Sequence, residues 1–518
     1  MLAVDALRTQ LLLPAGVDAS GAADRLAAHV AVVTQRAHRT DRTFWDTFDG
    51  RLHAAGLALA DTGNRIALID AATGAERAAG DHVRSLRRLA LVDLPEGGLR
   101  ELLAPVVEMR VMTPIVRVRS RRLPVNILDE LGKIVVRLQA EEPTAVAGQD
   151  VKVALRSRLN VSGVLGYAAE YNRVLELLAA ELDLRPVSQP VHDEAVEAIG
   201  GVPGGTSSKL RVALSPEARA DVAAVTVLRR LLEIIEVNLP GALADVDSEY
   251  LHDMRVAVRR SRALQRELRG VFPPEPLRVF RDGFRELQVL TGPTRDLDVQ
   301  LLEFADLAAT LPSETAPDVA PLRELLELRL AAERAKMAKG LRSERTRALL
   351  DNWGDFLDAL VASPEDDRPD AARPVAEVAG ERIDKVYRQM VKMGSAIGPD
   401  TPHEALHDLR KKGKELRYLL EFFAPLYPSE IVKPMVATLK GLQDVLGRFQ
   451  DREVQADALR ALGDEIAALD GGAAALMAMG VLVQHLAAEQ EQARAQFDER
   501  FERFAAKAQR KLVKQTFG

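Results

Sequence analysis

Cysteine is absent from the 518 residues. Disulfides, thiol catalysis and thiolate metal sites are therefore excluded. Aromatic side chains are scarce, at 4% against 47% apolar residues in all. What fills the apolar share is Ala and Leu, interleaved with Arg and Glu, a composition biased towards helix and a soluble globular chain. An excess of positive charge is also lacking: 70 Lys and Arg stand against 76 Asp and Glu, net −6. The whole chain is thus no general polyanion binder, and any anion site must come from local patterning. No long hydrophobic run stands out. The most apolar stretch, Gly471 to Val483, reads as too short and too rich in Ala and Gly for a membrane span. Met-Leu-Ala-Val-Asp-Ala-Leu-Arg at the start lacks a basic segment followed by an apolar one, so no signal peptide is expected and the expected address is the cytoplasm. A chain this long exceeds one core, and two to four domains are expected.

What is present is a repeat. Leu251 to Arg262 reads L-H-D-M-R-V-A-V-R-R-S-R, and Leu406 to Arg417 reads L-H-D-L-R-K-K-G-K-E-L-R. At a constant offset of 155, His252 matches His407, Arg255 matches Arg410, Arg259 matches Lys414 and Arg262 matches Arg417. The register continues: Val271–Glu275 is echoed at Leu426–Glu430, Arg278 and Arg285 meet Lys433 and Lys440, Gly292 meets Gly447, and Asp296 meets Asp451. An ungapped match of this length marks an internal duplication. On a helix, positions i, i+3, i+7 and i+10 fall within an arc of about 80°. Each copy therefore carries one His and three cations on a single stripe, beside an apolar face built from Leu251, Met254 and Val258 or from Leu406, Leu409 and Leu416.

Residues 1–199 have another texture. Leu11–Pro14 closes a first strand, and a short helical pattern spans 19–33. Thr43–Phe48 reads as a strand entering an Asp-Gly turn, and 57–60 with 65–69 reads as a hairpin. Val111–Arg121 alternates, placing Arg117, Arg119 and Arg121 on one face; 123–128 is mixed. Strands follow at 134–138 and 151–159, then a helix over 165–182. An α+β domain with an antiparallel, barrel-like sheet is expected. Gly200–Ser208, G-G-V-P-G-G-T-S-S, reads as a flexible linker. From there to residue 518 the period is helical, with helices expected near 216–238, 248–270, 275–291, 295–311 and 319–361. After a breaker at Pro364–Pro369 they restart at 374–394, 402–424, 430–446, 450–468 and 473–515. The economical reading is an all-α domain, 209–518, of two four-helix units over 209–362 and 374–518.

A lone cationic stripe is ordinarily a solvated face. Here the charges stayed in register through a duplication, and on two helices per copy, since Arg278, Arg281, Arg285 and Gln288 repeat the same spacing. Facing basic stripes repel unless an anion offsets them. No aromatic platform accompanies them, which separates this pattern from single-strand readers. His403 and His407, at i, i+4, have no counterpart in the first copy and lack the H-E-x-x-H pattern, so no metal site is expected. Asp296, Asp451, Asp298 and Glu453 read as partners that orient the arginines.

At these residues the chain resembles the CHAD family, the conserved histidine α-helical domain, over about 209–518. The resemblance implies two pseudo-symmetric four-helix bundles and a central basic surface that binds inorganic polyphosphate. Carried over by position, the first half-site is His252, Arg255, Arg259, Arg260 and Arg262, and the second is His407, Arg410, Lys411, Lys414 and Arg417. Arg278, Arg285, Arg295, Lys433 and Lys440 extend them on the following helices. Glu415 stands where the first copy has Arg260, so unequal halves are expected. The N-terminal part is similar to the CYTH family of triphosphate-tunnel proteins in F-W-D-T at Phe44–Thr47 and in the G-R-L and G-L-A-L segments after it. That resemblance implies tunnel cations, here Arg117, Arg119 and Arg121, and an opening E-x-E-x-K. The places of that motif hold Ala6, Arg8 and Gln10, which removes the carboxylates a divalent metal needs.

The expected function is therefore non-enzymatic binding of polyphosphate, with polyphosphate granules as a partner. No cofactor, catalytic residue, specific nucleic acid or membrane span is implied. Two other readings stand beside it: a metal-dependent triphosphatase or polyphosphatase using the N-terminal tunnel, and a helical scaffold whose basic stripe captures acidic partners.

Overall fold

The computed structural model describes residues 7–14, 16–81, 87–147, 151–182 and 184–518. Ala6 and most of the amino-terminal segment weighed as a signal lie outside these residues. The chain divides into two compact units, Met1–Ser208 and Lys209–Gly518.

The first unit is a curled antiparallel sheet, an open half-barrel. Its strands are β1 (Arg8–Leu12), β2 (Val32–Thr34), β3 (His38–Thr47), β4 (Leu57–Asp61), β5 (Arg65–Asp70), β6 (Glu76–Asp81), β7 (Met112–Leu128), β8 (Ile134–Ala147), β9 (Val151–Ala154), β10 (Arg158–Gly163) and β11 (Arg185–Pro186). They lie in the order β11-β1-β10-β8-β7-β3-β4-β5-β6, with β2 on β7 and β9 on β8. Helices α1 (Ala19–Ala27), α2 (Arg51–Ala54), α3 (Gly98–Val107), α4 (Ala168–Leu182) and α5 (Val191–Ala198) complete it. The pair β7–β8 is its backbone.

Strand β7 runs through 123–128, the stretch that sequence left undecided. Leu123, Val125 and Ile127 face a core made with α1 and α4, while Asn126 between them is also buried. A strand covered on both faces loses its polar alternation. The turns also hold surprises. Thr206 N donates to Phe48 O at 3.2 Å, and a Cβ on Gly50, at φ 65°, would sit 1.8 Å from Gly204 O. The Gly-rich segment read as a free linker is thus pinned, over 204–206, to the turn after β3. Only glycine fits that close approach.

The second unit is all helical: α6 (Ala220–Leu243), α7 (Ser248–Glu267), α8 (Pro274–Ala308), α9 (Ala320–Leu341), α10 (Glu344–Leu360), α11 (Val375–Gly394), α12 (His403–Phe423), α13 (Ser429–Ala461), α14 (Gly463–Ala467), α15 (Gly472–Ala495), α16 (Phe497–Phe504) and α17 (Lys507–Phe517). α6, α7 and α8 pack in sequence, as do α11, α12 and α13, and α7 packs on α12 between the copies.

Four expected helix assignments are corrected. α8 and α13 are each one helix where two were expected. α8 carries Pro293 on its exposed side, so the missing N–H costs one helical bond while Leu287, Thr291, Thr294 and Asp298 stay buried on the other. The expected helix over 319–361 is two, because the Ser343 hydroxyl caps Thr346 N at 3.2 Å, a start signal of the usual kind. The expected helix over 473–515 is three. It breaks without Gly or Pro because Phe497, Phe501 and Phe504 turn inward, and Tyr387 Oη donates to Phe504 O at 2.9 Å. Burying each such ring contributes about 1.5–3 kcal/mol, more than a frayed turn costs. The longer run Gly472–Phe504, which contains the apolar stretch Gly471–Val483 but for its first residue, meets the length and composition of a membrane-crossing helix by those two measures alone. Met479, Leu482 and Leu486 within it are buried against residues of α9 and α13.

The join between the copies is fixed as well. Asp221, at the start of α6, is fully buried and meets Arg368 Nη1 at 3.3 Å. Arg368 also donates to Ser363 O at 2.6 Å and Pro364 O at 3.0 Å. The segment read as a breaker is held down by a buried ion pair.

Candidate functional site

Helices α7 and α12 place the repeated cations, and their sequences explain how. The apolar residues Leu251, Met254, Val258 on α7 and Leu406, Leu409, Leu416 on α12 are buried, which turns the His-and-cation stripe to the flank of each helix. α8 and α13 then run alongside and add their own stripes.

In the first copy the cations converge. A cavity of about 450 Å³ is lined by Arg262, Arg266, Arg278, Arg281, Asp282 and Arg285. Five guanidinium groups meet one carboxylate. Arg278 pairs with Glu275 at 3.2 Å, and Arg266 with Glu267 at 2.8 Å and Glu415 at 3.2 Å. Arg262 donates to the Gln288 amide oxygen, and Arg281 and Arg285 form no ion pair among the described residues. Partial burial, then Arg266, Arg285 and Arg281, lower the proton affinity of Arg262. Such mutual repulsion is what a bound anion relieves.

Arg255 is buried rather than facing solvent. Its Nη1 donates to Gln288 O at 3.0 Å and Thr291 Oγ1 at 2.7 Å, and burial, then neighbouring Arg259, pulls its pKa to about 10. It ties α7 to α8. Arg295 is likewise engaged, reaching Ser248 O at 3.3 Å and Glu249 at 3.7 Å. Arg260 leaves the site and pairs with Glu421 of the second copy at 2.5 Å. Arg259 and His252 are half-buried on the stripe.

The second copy is weaker in charge. His407 Nδ1 meets the Gln450 amide oxygen, Arg410 pairs with Asp451 at 2.9 Å, and Arg417 with Glu421 at 2.7 Å. Lys411 is exposed and paired with Asp408 at 3.2 Å. Lys433 and Lys440 are exposed on α13. At offset 155, Arg266 and Arg281 become Glu421 and Val436, so no five-cation cavity can form here. Asp451 does orient Arg410, but Asp298 serves Arg334 at 2.8 Å and Glu453 serves His403 at 2.7 Å.

Residues 226–460 match the family model for the CHAD domain. The helical unit carries a CHAD domain. Two curated relatives, uncharacterised proteins of Mycobacterium tuberculosis strains CDC 1551 / Oshkosh and ATCC 25618 / H37Rv, are each 27% identical over 276 residues, 50% of this chain and 51% of theirs. The chain thus spans about half the length of the curated relatives it matches. Among solved structures, the CHAD domain from the plant Ricinus communis aligns at 25% identity and TM-score 0.48, covering 57% of this chain and 95% of that one. PptA from Streptomyces chartreusis aligns at 16% and 0.44, covering 55% and 100%.

Within the CHAD unit the two stripes sense each other. Partial burial, then Arg410 and Arg259 of the other copy, pull Lys414 down to about 8. Lys414 is therefore charged below that pH and neutral above it. Affinity for a polyanion held at this seam should fall as pH rises from 7 to 9, and Lys414→Arg should flatten the fall. Titrating both proteins at several pH values checks this; parallel profiles would exclude Lys414 from the site.

Arg266 and Arg281 were not among the site residues expected from sequence. Arg281 was visible as part of the α8 stripe. Arg266, four residues after Arg262, lies inside the helix expected over 248–270 and was within reach of the same spacing, although it was not among the matched pairs of the duplication.

Proposed function

We propose that the CHAD unit binds inorganic polyphosphate, entering by the arginine cavity of the first copy and continuing along the cations at the α7–α12 seam. The observation that carries this reading is the cavity itself, where five arginines meet a single aspartate. Guanidinium forks grip phosphate oxygens bidentately, and lysines beyond them add point charges. A linear polymer carrying about one charge per unit satisfies several such forks at once, as a nucleic-acid backbone does. The cavity lining holds no aromatic ring, so bases would gain nothing by stacking there. In this reading the protein is a binding protein and not an enzyme, with polyphosphate granules as its partner and the cytoplasm as its place.

The test is polyphosphate titration of the purified chain across a salt series, with duplex DNA as competitor. Log affinity should fall linearly with log salt, and DNA at equal charge should fail to displace the polymer. Equal displacement by DNA would reduce the site to a general polyanion groove, and absence of binding at low salt would overturn the proposal.

A further inference from the structure

The half-barrel has a second cationic site, built independently of the first. A cavity of about 880 Å³ on its concave face is lined by Arg8, Arg42, Arg65, Arg122, Arg137 and Arg158. Glu76 and Glu141 are the carboxylates of that lining. Arg117, Arg119 and Arg121, the cations expected from the alternation of β7, are exposed on the opposite face, where Arg117 pairs with Asp41 and Arg121 with Glu142. The next residue, Arg122, has the phase that points inward. Alternation showed that one face was basic without showing which face curls.

Strand register arranges the concave side chains in rungs. Arg158, Glu141 and Arg122 lie side by side on β10, β8 and β7. Next come Gln10, Asn160 and Gln139, and then Arg8, Ser162 and Arg137. Two cationic rungs thus flank one of amides, four residues or roughly 13 Å apart along the strands. In the lower rung Arg158, at 1% exposure, and Glu141 are buried and Arg122 is partly buried, whereas Arg8 and Arg137 are exposed at the rim.

A divalent metal does not fit this lining. In a CYTH-like E-x-E-x-K, the second carboxylate place holds Arg8 and the lysine place holds Gln10, both on β1. Glu141 is already committed to Arg42, to Arg122 at 3.4 Å, to Ser120 Oγ at 2.6 Å and to Asn160 Nδ2 at 3.4 Å. Among the described residues no group of three or more His, Asp or Glu side chains is placed to hold a metal ion. Meanwhile the Nε groups of Arg42, Arg122 and Arg158 are buried with no hydrogen-bond partner. Unpaired donors on buried cations cost stability that an oxyanion would restore.

We propose that this cavity binds a compact oligophosphate directly on its arginines, with no divalent cation. Charge spread over two rungs suits several linked phosphates better than a single carboxylate. The amide rung supplies further donors to bridging oxygens. Arg65, tied to Glu76 at 2.6 Å, is left to shape the rim.

Hydrogen exchange on the full-length chain separates this site from the CHAD unit, because protection is read by peptide. With millimolar tripolyphosphate in EDTA, peptides covering 134–147 and 158–163 should be protected. The rim variant Arg8→Glu/Arg137→Glu changes only exposed side chains, so the fold should persist in its far-ultraviolet circular dichroism. Its half-saturating concentration should rise at least about tenfold, the scale of one or two charge-assisted hydrogen bonds. Three results would overturn the proposal: no protection at saturation in EDTA, protection that requires added Mg²⁺ or Mn²⁺, or protection that the rim variant keeps unchanged.

Discussion

An Arg262→Glu/Arg285→Glu variant binds polyphosphate about 100-fold more weakly than the parent chain, on the scale of charge-assisted hydrogen bonds at about 1.5–3 kcal/mol each. Both side chains line the arginine cavity, one on α7 and one on α8, and neither is held by a carboxylate among the described residues. Reversing them also leaves two carboxylates among Arg266, Arg278 and Arg281, which closes the pocket to anions. The salt dependence should become shallower, because fewer counterions are released per polymer bound. Lys411→Glu is the control. Lys411 is exposed and already paired with Asp408, so its reversal should change affinity severalfold at most. Titration of the three proteins at two salt concentrations decides the matter. Equal losses in both variants would mean that net charge, and not the cavity, governs binding.

The second large effect is on stability. Asp221→Ala should destabilise the helical unit by about 3–5 kcal/mol, the usual loss when one partner of a buried ion pair is removed. Asp221 is fully buried and accepts from Arg368 at 3.3 Å, from Arg219 at 2.7 Å and from Val222 N at 2.8 Å. Without it, Arg368 at 2% exposure keeps its charge away from water with only carbonyl partners. The lesion lies where the connector between the copies crosses the start of α6, where Ala220 N donates to Arg373 O at 2.9 Å. Chemical denaturation followed by circular dichroism measures the loss. A change below about 1 kcal/mol would place this pair with surface ion pairs.

How much of this was readable in advance follows from what each signal depends on. The duplication was legible because a charge stripe in register needs only helical geometry, which a sequence carries in its spacing. The divided helices were missed for two different reasons: Ser343 caps Thr346 N, a local start signal inside an otherwise unbroken helical period, whereas Phe497, Phe501 and Phe504 break a helix by where they pack. The concave cavity was missed for another reason. Arg117 and Arg122 differ by an odd number of positions, so they lie on opposite faces of one strand, but sequence alone cannot say which way a sheet curls. Arg255 and Arg260 matched the family pattern by position, yet one is spent holding α8 and the other holding α12. Motif position identifies a helix more reliably than it identifies the free end of a side chain.

The ion pairs across the α7–α12 seam give the duplication a direction. Arg260 meets Glu421, and Arg266 meets Glu415. At offset 155, residue 260 corresponds to 415 and residue 266 to 421, so the two bridges are the same contact with its signs exchanged. Two copies of either half as it stands would have set like charge against like at both places. The seam therefore belongs to unlike halves: one has become the basic face of the joint and the other its acidic complement. A chain that began as a repeat now has a left and a right, and the half that gave up its cations to the joint is the one that lacks an arginine cavity.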